Sequence, residues 1–486
     1  MDGIDLFRPD RFLRASVLLL GAVFAGCQSD PCTPCSATSA RTDGPMTPPS
    51  VAAVASAPGP KEPTEQPAQF AAYMQPDVVQ PAPEILPPQE LIPPPVPRRL
   101  SLAELETMAL TANPAVARAS ALVGAARGTA IQVGLPPNPS VGYIGQQLGS
   151  GGLAEQHGIQ VSQDIITGGK LELNRAVAEE DVNRARQELA VLQQRVLTDV
   201  RISFYQVLLA QRQIEFSESL VKTLRQGADA VNALLKGKEA SRADLLQAQL
   251  EVENAQVISR NAHNRHDAAW RTLAAVSGNP NLPQQTLDGD AFASPRVFEF
   301  EQARLAITSS SPEMAVAMTE LTRARLALDR ANVETIPNIS VQGLVNTTDN
   351  GVGGRTDGGI SLMLPIPLFN KNEGNIMRAQ HEVAAAKLAV QQLELNVQNR
   401  LAPVFERYSN ARNQVERYRT AILPAAQESL DLTGKAYKVG EVSFIAFLTA
   451  QRTFTQTNLN YLEAVRELRI AEMEIDGLLL SGSLGN

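Results

Sequence analysis

The strongest constraint on the fold of this chain is an internal repeat. Asn113-Pro114 recurs as Ser311-Pro312, and Gly158-Ile159 recurs as Gly359-Ile360. Two longer stretches recur as well, 137–141 as 337–341 and 236–241 as 438–443. The offsets are 198, 200, 201 and 202 residues, and the order is kept. Four landmarks at a nearly constant offset indicate two copies of one unit, which we place at 100–290 and 291–486.

Composition and chemistry exclude several classes of function. The 486 residues carry 43 Lys+Arg and 51 Asp+Glu, a net charge of -8, which argues against a nucleic-acid partner. The three cysteines all lie within the first 35 residues, so the body has no disulfide or thiolate metal site. No nucleophile with a base partner, phosphate loop or paired-carboxylate motif stands out. We expect no enzymatic activity and no cofactor.

The first 26 residues predict an export signal. Three arginines precede the apolar run 15–25, and small residues lead directly to Cys27. This pattern resembles a bacterial lipoprotein site, in which the peptide is cut before the cysteine and the thiol receives a diacylglycerol. Gln28 matches the sorting pattern for the outer membrane. The alternative is a cut elsewhere that leaves Cys27 as an ordinary thiol.

Residues 27–99 predict a disordered tether. The stretch 31–99 holds 18 of the 32 prolines and few large apolar side chains, so it cannot bury enough surface to offset its ordering entropy. Cys32 and Cys35 form a Cys-x-x-Cys pair without a βαβ context, which favours a linker over a redox site. The lipid on Cys27 and the folded body would then be joined by a semi-rigid spacer.

The body alternates between two hydrophobic periods. From Val182 to Val207, apolar residues recur in steps of three and four along one helix face. If 170–235 is helical throughout, it spans about 100 Å at 1.5 Å per residue. Before each long helix, short segments alternate with period two, for example at Ile339, Val341 and Val345.

These segments predict two β-hairpins with glycine-rich connectors at 150–152 and 350–354. Their length of about nine residues suits tilted membrane strands, although an ordinary surface hairpin is the alternative. A membrane sheet must close on itself, and about eight strands is the practical minimum. Four strands per chain therefore require several copies to share one barrel.

Particular stretches identify a family resemblance. They are residues 422–424, 437–444 and 450–453, with 161–165 plus 167–170 and 364–374. The whole body resembles the TolC-like outer-membrane efflux family, and the last two stretches are most like its branch of heavy-metal efflux proteins that contains CzcC and CusC. The resemblance implies a mainly α fold with a small membrane β part. Three chains would form a twelve-stranded β-barrel that continues into a long α-helical barrel across the periplasm.

The resemblance also places the elements. The implied strands are 139–148, 157–166, 338–348 and 358–367. The implied helices are 113–133, 170–235, 241–276, 312–335, 372–437 and 443–479. Pro403 and Pro424 lie inside the second long helix, where each removes a hydrogen bond and is expected to bend it. Pro424 fits the family, whereas Pro403 departs from it and challenges helix continuity.

The implied function is a passive exit duct at the outer membrane, extending into the periplasm. It would conduct substrate, heavy-metal cations in the branch it resembles most, from an inner-membrane pump through a periplasmic adaptor. One alternative is a duct of the same fold for drugs or other small molecules. Another is a structural envelope lipoprotein without a pore, which the paired strands argue against.

The helix turns at the ends of the two long helices are the expected adaptor-docking tips. Gly237 and Gly440 suit the backbone reversal, and Ser241 and Ser443 suit the cap of the returning helix. The remaining tip residues are Glu239, Glu441, Leu245, Leu246, Phe447 and Leu448. Three subunits with two turns each would offer six similar sites to the hexameric adaptor of the family.

Asp244 is a candidate for the periplasmic constriction. Acidic residues that family members carry after the second tip are replaced here by Ala446 and Thr449, and Asp244 has the corresponding place in the first copy. Three close carboxylates would favour cations over anions. The equally weighted alternative is a helix N-terminal carboxylate stabilised by the dipole.

His263 and His266 lie three residues apart on an expected helix. Such a pair can share a metal, but no Cys, Asp or Glu at matched spacing accompanies it, which favours solvated surface. We therefore expect no metal site.

Overall fold

The computed structural model describes residues 99–149, 155–349 and 356–484. The expected signal peptide, Cys27 and the Pro-rich segment up to residue 98 lie outside the described residues, as do both glycine-rich connectors. The described ranges belong to the body of the chain and include both copies of the repeat.

The first copy begins with a short strand and a capped helix. Its elements are β1 (Leu100–Ser101), α1 (Leu102–Ala112), α2 (Pro114–Val133), β2 (Ser140–Gln146), β3 (Gln156–Ile165), α3 (Lys170–Lys236), α4 (Arg242–Val276) and β4 (Leu287–Asp288). Ser101 and Glu104 form a capping box that starts α1. α3 is a single helix of 67 residues, about 100 Å long, as the apolar stripe predicted.

Within the described residues, the second copy repeats this order without the two short strands, and a π-helical turn interrupts the second long helix. Its elements are α5 (Phe300–Ser310), α6 (Pro312–Val333), β5 (Ile339–Asp349), β6 (Asp357–Met363), α7 (Glu373–Arg417), a π-helical turn (Tyr418–Ile422), α8 (Leu423–Lys438) and α9 (Phe444–Asp476). Pro114 and Pro312 both stand at the start of a helix, after the caps Asn113 and Ser311. None of the helices described is long and apolar enough to cross a membrane.

The challenge to helix continuity at Pro403 is not confirmed. α7 remains α-helical from Glu373 to Arg417 with Pro403 inside it, so helix continuity is kept there. The irregularity lies instead beside Pro424, whose missing N–H leaves the carbonyl of Thr420 without an α-helical partner. The backbone forms a π turn at this point, in which the Leu423 N–H donates to the Tyr418 carbonyl.

The four longer strands form one antiparallel sheet in the order β2-β3-β5-β6. The first hairpin pairs Val141 with Val161, and the second pairs Val341 with Leu362. The central pair, β3 with β5, joins the two copies. β6 ends at Met363, four residues earlier than expected, because Pro365 has no N–H to continue the ladder. β2 and β6 are the open edges of this sheet.

The sheet has two chemically different faces. One face is apolar and largely exposed: Val141, Tyr143, Ile159, Val161, Val345, Ile360 and Leu362. On the other face, Gln342 Nε2 donates to Gln160 Oε1 (2.6 Å) and Asn346 Nδ2 to Asp357 Oδ1 (2.8 Å). Ser340 Oγ also donates to Asp164. The sheet is therefore amphipathic, with a hydrogen-bonded polar side.

The main core lies where α1, α3, α4, α5, α7 and α9 meet, far along the helices from the sheet. Val196, Val200 and Leu401 are fully buried there. Buried Tyr408 donates its hydroxyl to the Arg296 carbonyl (2.7 Å) and accepts from the Phe298 N–H (3.1 Å). These contacts hold the loop 289–299 on the helices.

A buried ion pair completes this core. Arg469 Nη1 donates to Glu472 Oε2 (2.6 Å), and Arg469 Nε donates to the Ala291 carbonyl (2.9 Å). Glu472 Oε1 in turn accepts the Arg296 N–H (3.0 Å). Because both charges are paired and hydrogen-bonded, their burial is tolerated. The helices α1 and α5 and the parallel pair β1 with β4 in this region were missed from the sequence.

Candidate functional site

The two helix turns at the far ends of α3 and α8 have the same backbone geometry. In the first turn the Lys238 N–H donates to the Leu235 carbonyl (3.0 Å) and the Glu239 N–H to the Leu234 carbonyl (2.9 Å). This pair of bonds is a Schellman motif, whose left-handed residue is Lys238 with φ +62°. Gly237 has an ordinary helical φ of −74°. The expected role of Gly237 in the reversal is therefore wrong.

The second turn places glycine at the left-handed position. The Gly440 N–H donates to the Tyr437 carbonyl (3.1 Å) and the Glu441 N–H to the Ala436 carbonyl (2.9 Å). Gly440 has φ +77°, so it supports the reversal as expected. Lys238 and Gly440 are equivalent, and the first turn bears a strain that the second avoids.

The returning helices start with different caps. Ser241 and Asp244 form a capping box: the Asp244 N–H donates to Ser241 Oγ (3.1 Å), while Asp244 Oδ2 accepts the Ser241 N–H (3.0 Å) and Oγ–H (2.7 Å). In the second turn Ser443 Oγ accepts the Ala446 N–H (3.3 Å), and alanine returns no bond. Both serines are caps, as predicted.

The Asp244 carboxylate is held by these bonds. Hydrogen bonds from the side chain and backbone of Ser241 lower the pKa of Asp244, because they favour its charged form. An aspartate that satisfies its own helix start has the position and chemistry of the dipole-stabilised alternative. A place for three such carboxylates in a constriction remains a prediction.

The two turns pack on each other through one apolar cluster. Val231, Leu245, Ala248, Phe444 and Leu448 are its buried members. Leu245 and Leu448 are 4% and 3% exposed, so they belong to this core and not to the free surface that the sequence suggested. The cluster makes the first and second turns of one chain a single unit.

Aromatic rings extend the cluster toward the second turn. Phe447 is half-buried and stacks on Tyr437 with ring centroids 5.6 Å apart. Phe444 lies 5.5 Å from the same ring. Burial, followed by the nearby charge of Asp244, raises the pKa of the Tyr437 hydroxyl.

Next to the apolar cluster, an ion pair links the two returning helices α4 and α9. Arg452 Nε donates to Glu251 Oε1 (2.9 Å), linking α9 to α4. Glu251 is nearly buried, whereas the Arg452 side chain is about half exposed. The hydrogen bond and charge of Glu251 raise the pKa of Arg452 further above its usual value. This pair was not identified from the sequence, because its members are 201 residues apart.

Charged and apolar side chains remain on the outside of the turns. Glu239 and Glu441 are exposed at equivalent positions. Leu246 is exposed as expected, and Val439 and Ile445 are exposed apolar residues that the sequence reasoning missed. A pair of turns with matching charge and neighbouring apolar patches is suited to bind helical partners.

The histidine pair is not brought together. His263 Nε2 lies 3.2 Å from Glu218 on α3, whereas His266 is mostly buried beside the Trp270 ring. Across the described ranges, no group of three His, Cys, Asp or Glu side chains is arranged to hold a metal ion.

Comparisons with known proteins identify outer-membrane efflux proteins and a metal-resistance protein as similar to this chain. A family model described as "Outer membrane efflux protein" matches residues 105–279 and 306–479, together more than half of the chain. The cobalt-zinc-cadmium resistance protein CzcC of Cupriavidus metallidurans is 24% identical over 323 residues, 66% of this chain and 76% of that protein. The outer membrane efflux protein BepC of Brucella suis is 22% identical over 337 residues, 68% of this chain and 73% of its own length.

Solved structures share the fold. A crystal structure of CusC superposes with a TM-score of 0.63 at 18% identity, covering 78% of this chain and 92% of that one. The open state of the Neisseria gonorrhoeae MtrE outer membrane channel gives a TM-score of 0.63 at 18% identity, covering 79% and 89%.

Proposed function

Because the chain belongs to the outer membrane efflux protein family, we propose that it is the exit duct of a tripartite efflux system. Its fold is that of the TolC-like channels. The duct is passive: it conducts substrate that an inner-membrane pump and a periplasmic adaptor deliver, and it catalyses no reaction itself.

The amphipathic sheet carries this proposal. Its exposed apolar face suits lipid, and its opposite face bears hydrogen-bonded amide and hydroxyl groups that suit a water-filled interior. The strands connect directly to a helix about 100 Å long, which suits a passage across the periplasm. A structural lipoprotein without a pore has no need of a polar sheet face.

Barrel closure supports a homotrimer. In the described part of the chain, the sheet has four strands and two open edges. Lipid does not satisfy backbone groups on an edge, so the edges must pair with other copies. Three copies supply twelve strands, within the range of membrane barrels.

We propose heavy-metal cations as the substrate. The similarity to CzcC, whose name states cobalt-zinc-cadmium resistance, supports this choice. The resemblance of residues 364–374 to the metal branch also supports this choice. The name of the relative BepC states efflux without naming a substrate, so drugs or other small molecules are the second candidate.

Anchoring and domain division complete the proposal. We propose that the signal peptide 1–26 is removed, that Cys27 is lipidated in the outer membrane, and that 27–99 is a tether. The two efflux repeats are then 100–290 and 291–486. The equivalent order of helices and strands on either side of residue 290 supports this division.

The adaptor is proposed to dock on the turns. Glu239 and Glu441 are exposed at matched positions. Beneath them Ser241, Gly440 and Ser443 shape the backbone, and Leu245 and Phe447 belong to the apolar cluster. Gly237 is the exposed C-cap residue of the first long helix. Charge reversal at both glutamates is expected to abolish adaptor capture in a pull-down while assembly persists. Undiminished capture would show that docking occurs elsewhere.

Export itself is tested in the source cells. Deleting the gene is expected to raise cellular cobalt, zinc or cadmium, and the wild-type gene to restore export. The double variant Glu239→Lys, Glu441→Lys should not restore it, whereas the distant surface variant Glu301→Lys should. Unchanged metal with increased retention of a drug would transfer the assignment to the second candidate.

A further inference from the structure

We propose that residues 364–371 form a latch that seats on residues 135–138 of a second copy of this chain, directly below a fixed pairing of β6 with β2 of that copy. This inference rests on the proposed duct, because it describes the seam along which its subunits join. The joint between the two repeats inside one chain serves as the template for the joint between chains.

The two observed hairpins establish which residues are equivalent. Val141 pairs with Val161 in the first hairpin, and Val341 pairs with Leu362 in the second. A β5 residue is therefore its β2 counterpart plus 200, and a β6 residue is its β3 counterpart plus 201. The burial of Ala178 and Ala379 continues the second offset into α3 and α7.

Inside the chain, Val161 of β3 pairs with Gly343 of β5. Applying the two offsets converts this pair into Leu362 of one copy and Tyr143 of the next. These side chains lie on the apolar face of their strands and are 70% and 68% exposed. The transferred register therefore keeps the apolar face continuous across the seam, as a lipid-facing sheet requires.

Where the strands end, the contact between the two repeats of one chain packs the small residue Gly168 against the large residue Ile336. A Cβ added at Gly168 would lie 3.0 Å from Ile336 Cδ1, so the isoleucine fills the space that the glycine leaves. The equivalent positions are Phe369 and Pro136. Phe369 is 99% exposed in the single chain. The second joint thus exchanges the sizes of the two partners, with the phenylalanine reaching over the proline of the next copy.

The same offsets predict a polar contact, although α3 begins at Lys170 and α7 begins two residues after Lys371, at Glu373. Lys170 is buried, and its Nζ donates to Asn338 Oδ1 (2.9 Å). Its counterparts Lys371 and Asn138 are both exposed. A hydrogen bond from Lys371 to Asn138 of the next copy would reproduce the internal one and fix the latch laterally.

The latch is too apolar to remain in water. Its other large side chains, Leu364, Ile366 and Leu368, are 53%, 71% and 69% exposed. Lipid would accept these residues but would offer nothing specific to Lys371. A second copy satisfies both, because it presents Pro136 and Asn138 at the offsets that the internal joint uses.

Disulfide trapping tests the register. In a Cys32→Ser, Cys35→Ser background, the pair Leu362→Cys with Tyr143→Cys should give covalent dimers and trimers on a non-reducing gel after mild oxidation. Paired strands bring Cα atoms to about 4.5–5.5 Å, within disulfide range. The matched control, Leu362→Cys with Gly142→Cys, puts the thiols on opposite faces and should give at least tenfold less. Equal yields from both pairs, or none from either, would overturn the register.

Point variants test the latch. Phe369→Ala and Lys371→Ala should each lower the temperature at which detergent-solubilised trimers dissociate. The double variant Lys371→Ala, Asn138→Ala should dissociate at the temperature of Lys371→Ala alone. Unchanged dissociation in both single variants would overturn the latch. Conductance of the wild-type protein in a planar bilayer distinguishes failure of the latch from failure of the proposed duct. If the wild type conducts but the variants leave trimer dissociation unchanged, only the proposed seam is refuted. If the wild type does not conduct, the duct itself is refuted.

Discussion

Removing the carboxylate charge of Asp244 distinguishes a helix cap from a pore constriction. The side chain completes a capping box with Ser241 through bonds of 2.7 to 3.1 Å. Asp244→Asn keeps an oxygen acceptor but loses the favourable charge at the helix start, which is worth about 0.3–1 kcal/mol. Ser241→Ala loses the cap itself, about 1 kcal/mol. Local opening of the first turn of α4 should therefore increase about two- to fivefold and about fivefold, respectively.

Hydrogen exchange measured on peptides covering 237–250 reports this opening. Ala446→Asp is the matched control, because it installs a carboxylate at the equivalent place of the second turn and should slow exchange there. A capping role also predicts an unchanged reversal potential for Asp244→Asn in a salt gradient. Unaltered exchange together with reduced cation preference would refute it and place Asp244 in the constriction.

The pH dependence of this effect has a definite sign. The pKa of Asp244 is lowered in the folded chain, so its contribution is present above the ordinary carboxyl range, near pH 4, and is lost as pH falls through the folded value. The difference in exchange between wild type and Asp244→Asn should therefore disappear in strong acid. A difference that persists there would have another origin.

Four further variants have expected outcomes. Metabolic labelling with a fatty acid should mark the wild type but not Cys27→Ser, and equal labelling would refute lipidation. Gly158→Ala should lower the yield of inserted barrel in membrane fractions, because its Cβ would lie 2.3 Å from the Val345 carbonyl oxygen, and normal insertion would contradict this. Lys238→Gly should slow hydrogen exchange in the turn after α3, because it relieves about 1 kcal/mol of strain from the left-handed backbone. Gly440→Ala should accelerate hydrogen exchange in the turn after α8, because it introduces the same backbone strain, although the added Cβ meets no other atom.

Much of the fold was predictable because the long helices and the sheet strands each have a regular spacing of apolar residues in the sequence. The stripe from Val182 to Val207 and the alternation around Val341 each repeat often enough to define an element, and the repeat doubles the signal. α3 and the four sheet strands are confirmed within a few residues, except at the end of β6.

Other features of the fold and of the turns depend on contacts between distant residues or on backbone conformations, which the spacing of apolar residues does not reveal. The residue at the left-handed position of the first turn is a lysine, and lysine carries no signal for that conformation. Leu245 and Leu448 look like surface near a turn, yet the two turns bury them together. Pro403 and Pro424 are alike in sequence, and only the structure shows that the π turn forms beside the second.

Planar-bilayer conductance of the purified, detergent-extracted protein tests the central claim most directly. We expect discrete, long-lived conductance steps from a trimeric fraction, and no steps from a variant with Gly343→Pro, which breaks the joining strand pair β3 with β5. A folded, membrane-inserted wild-type trimer without conductance would contradict the proposal that this chain is an export duct.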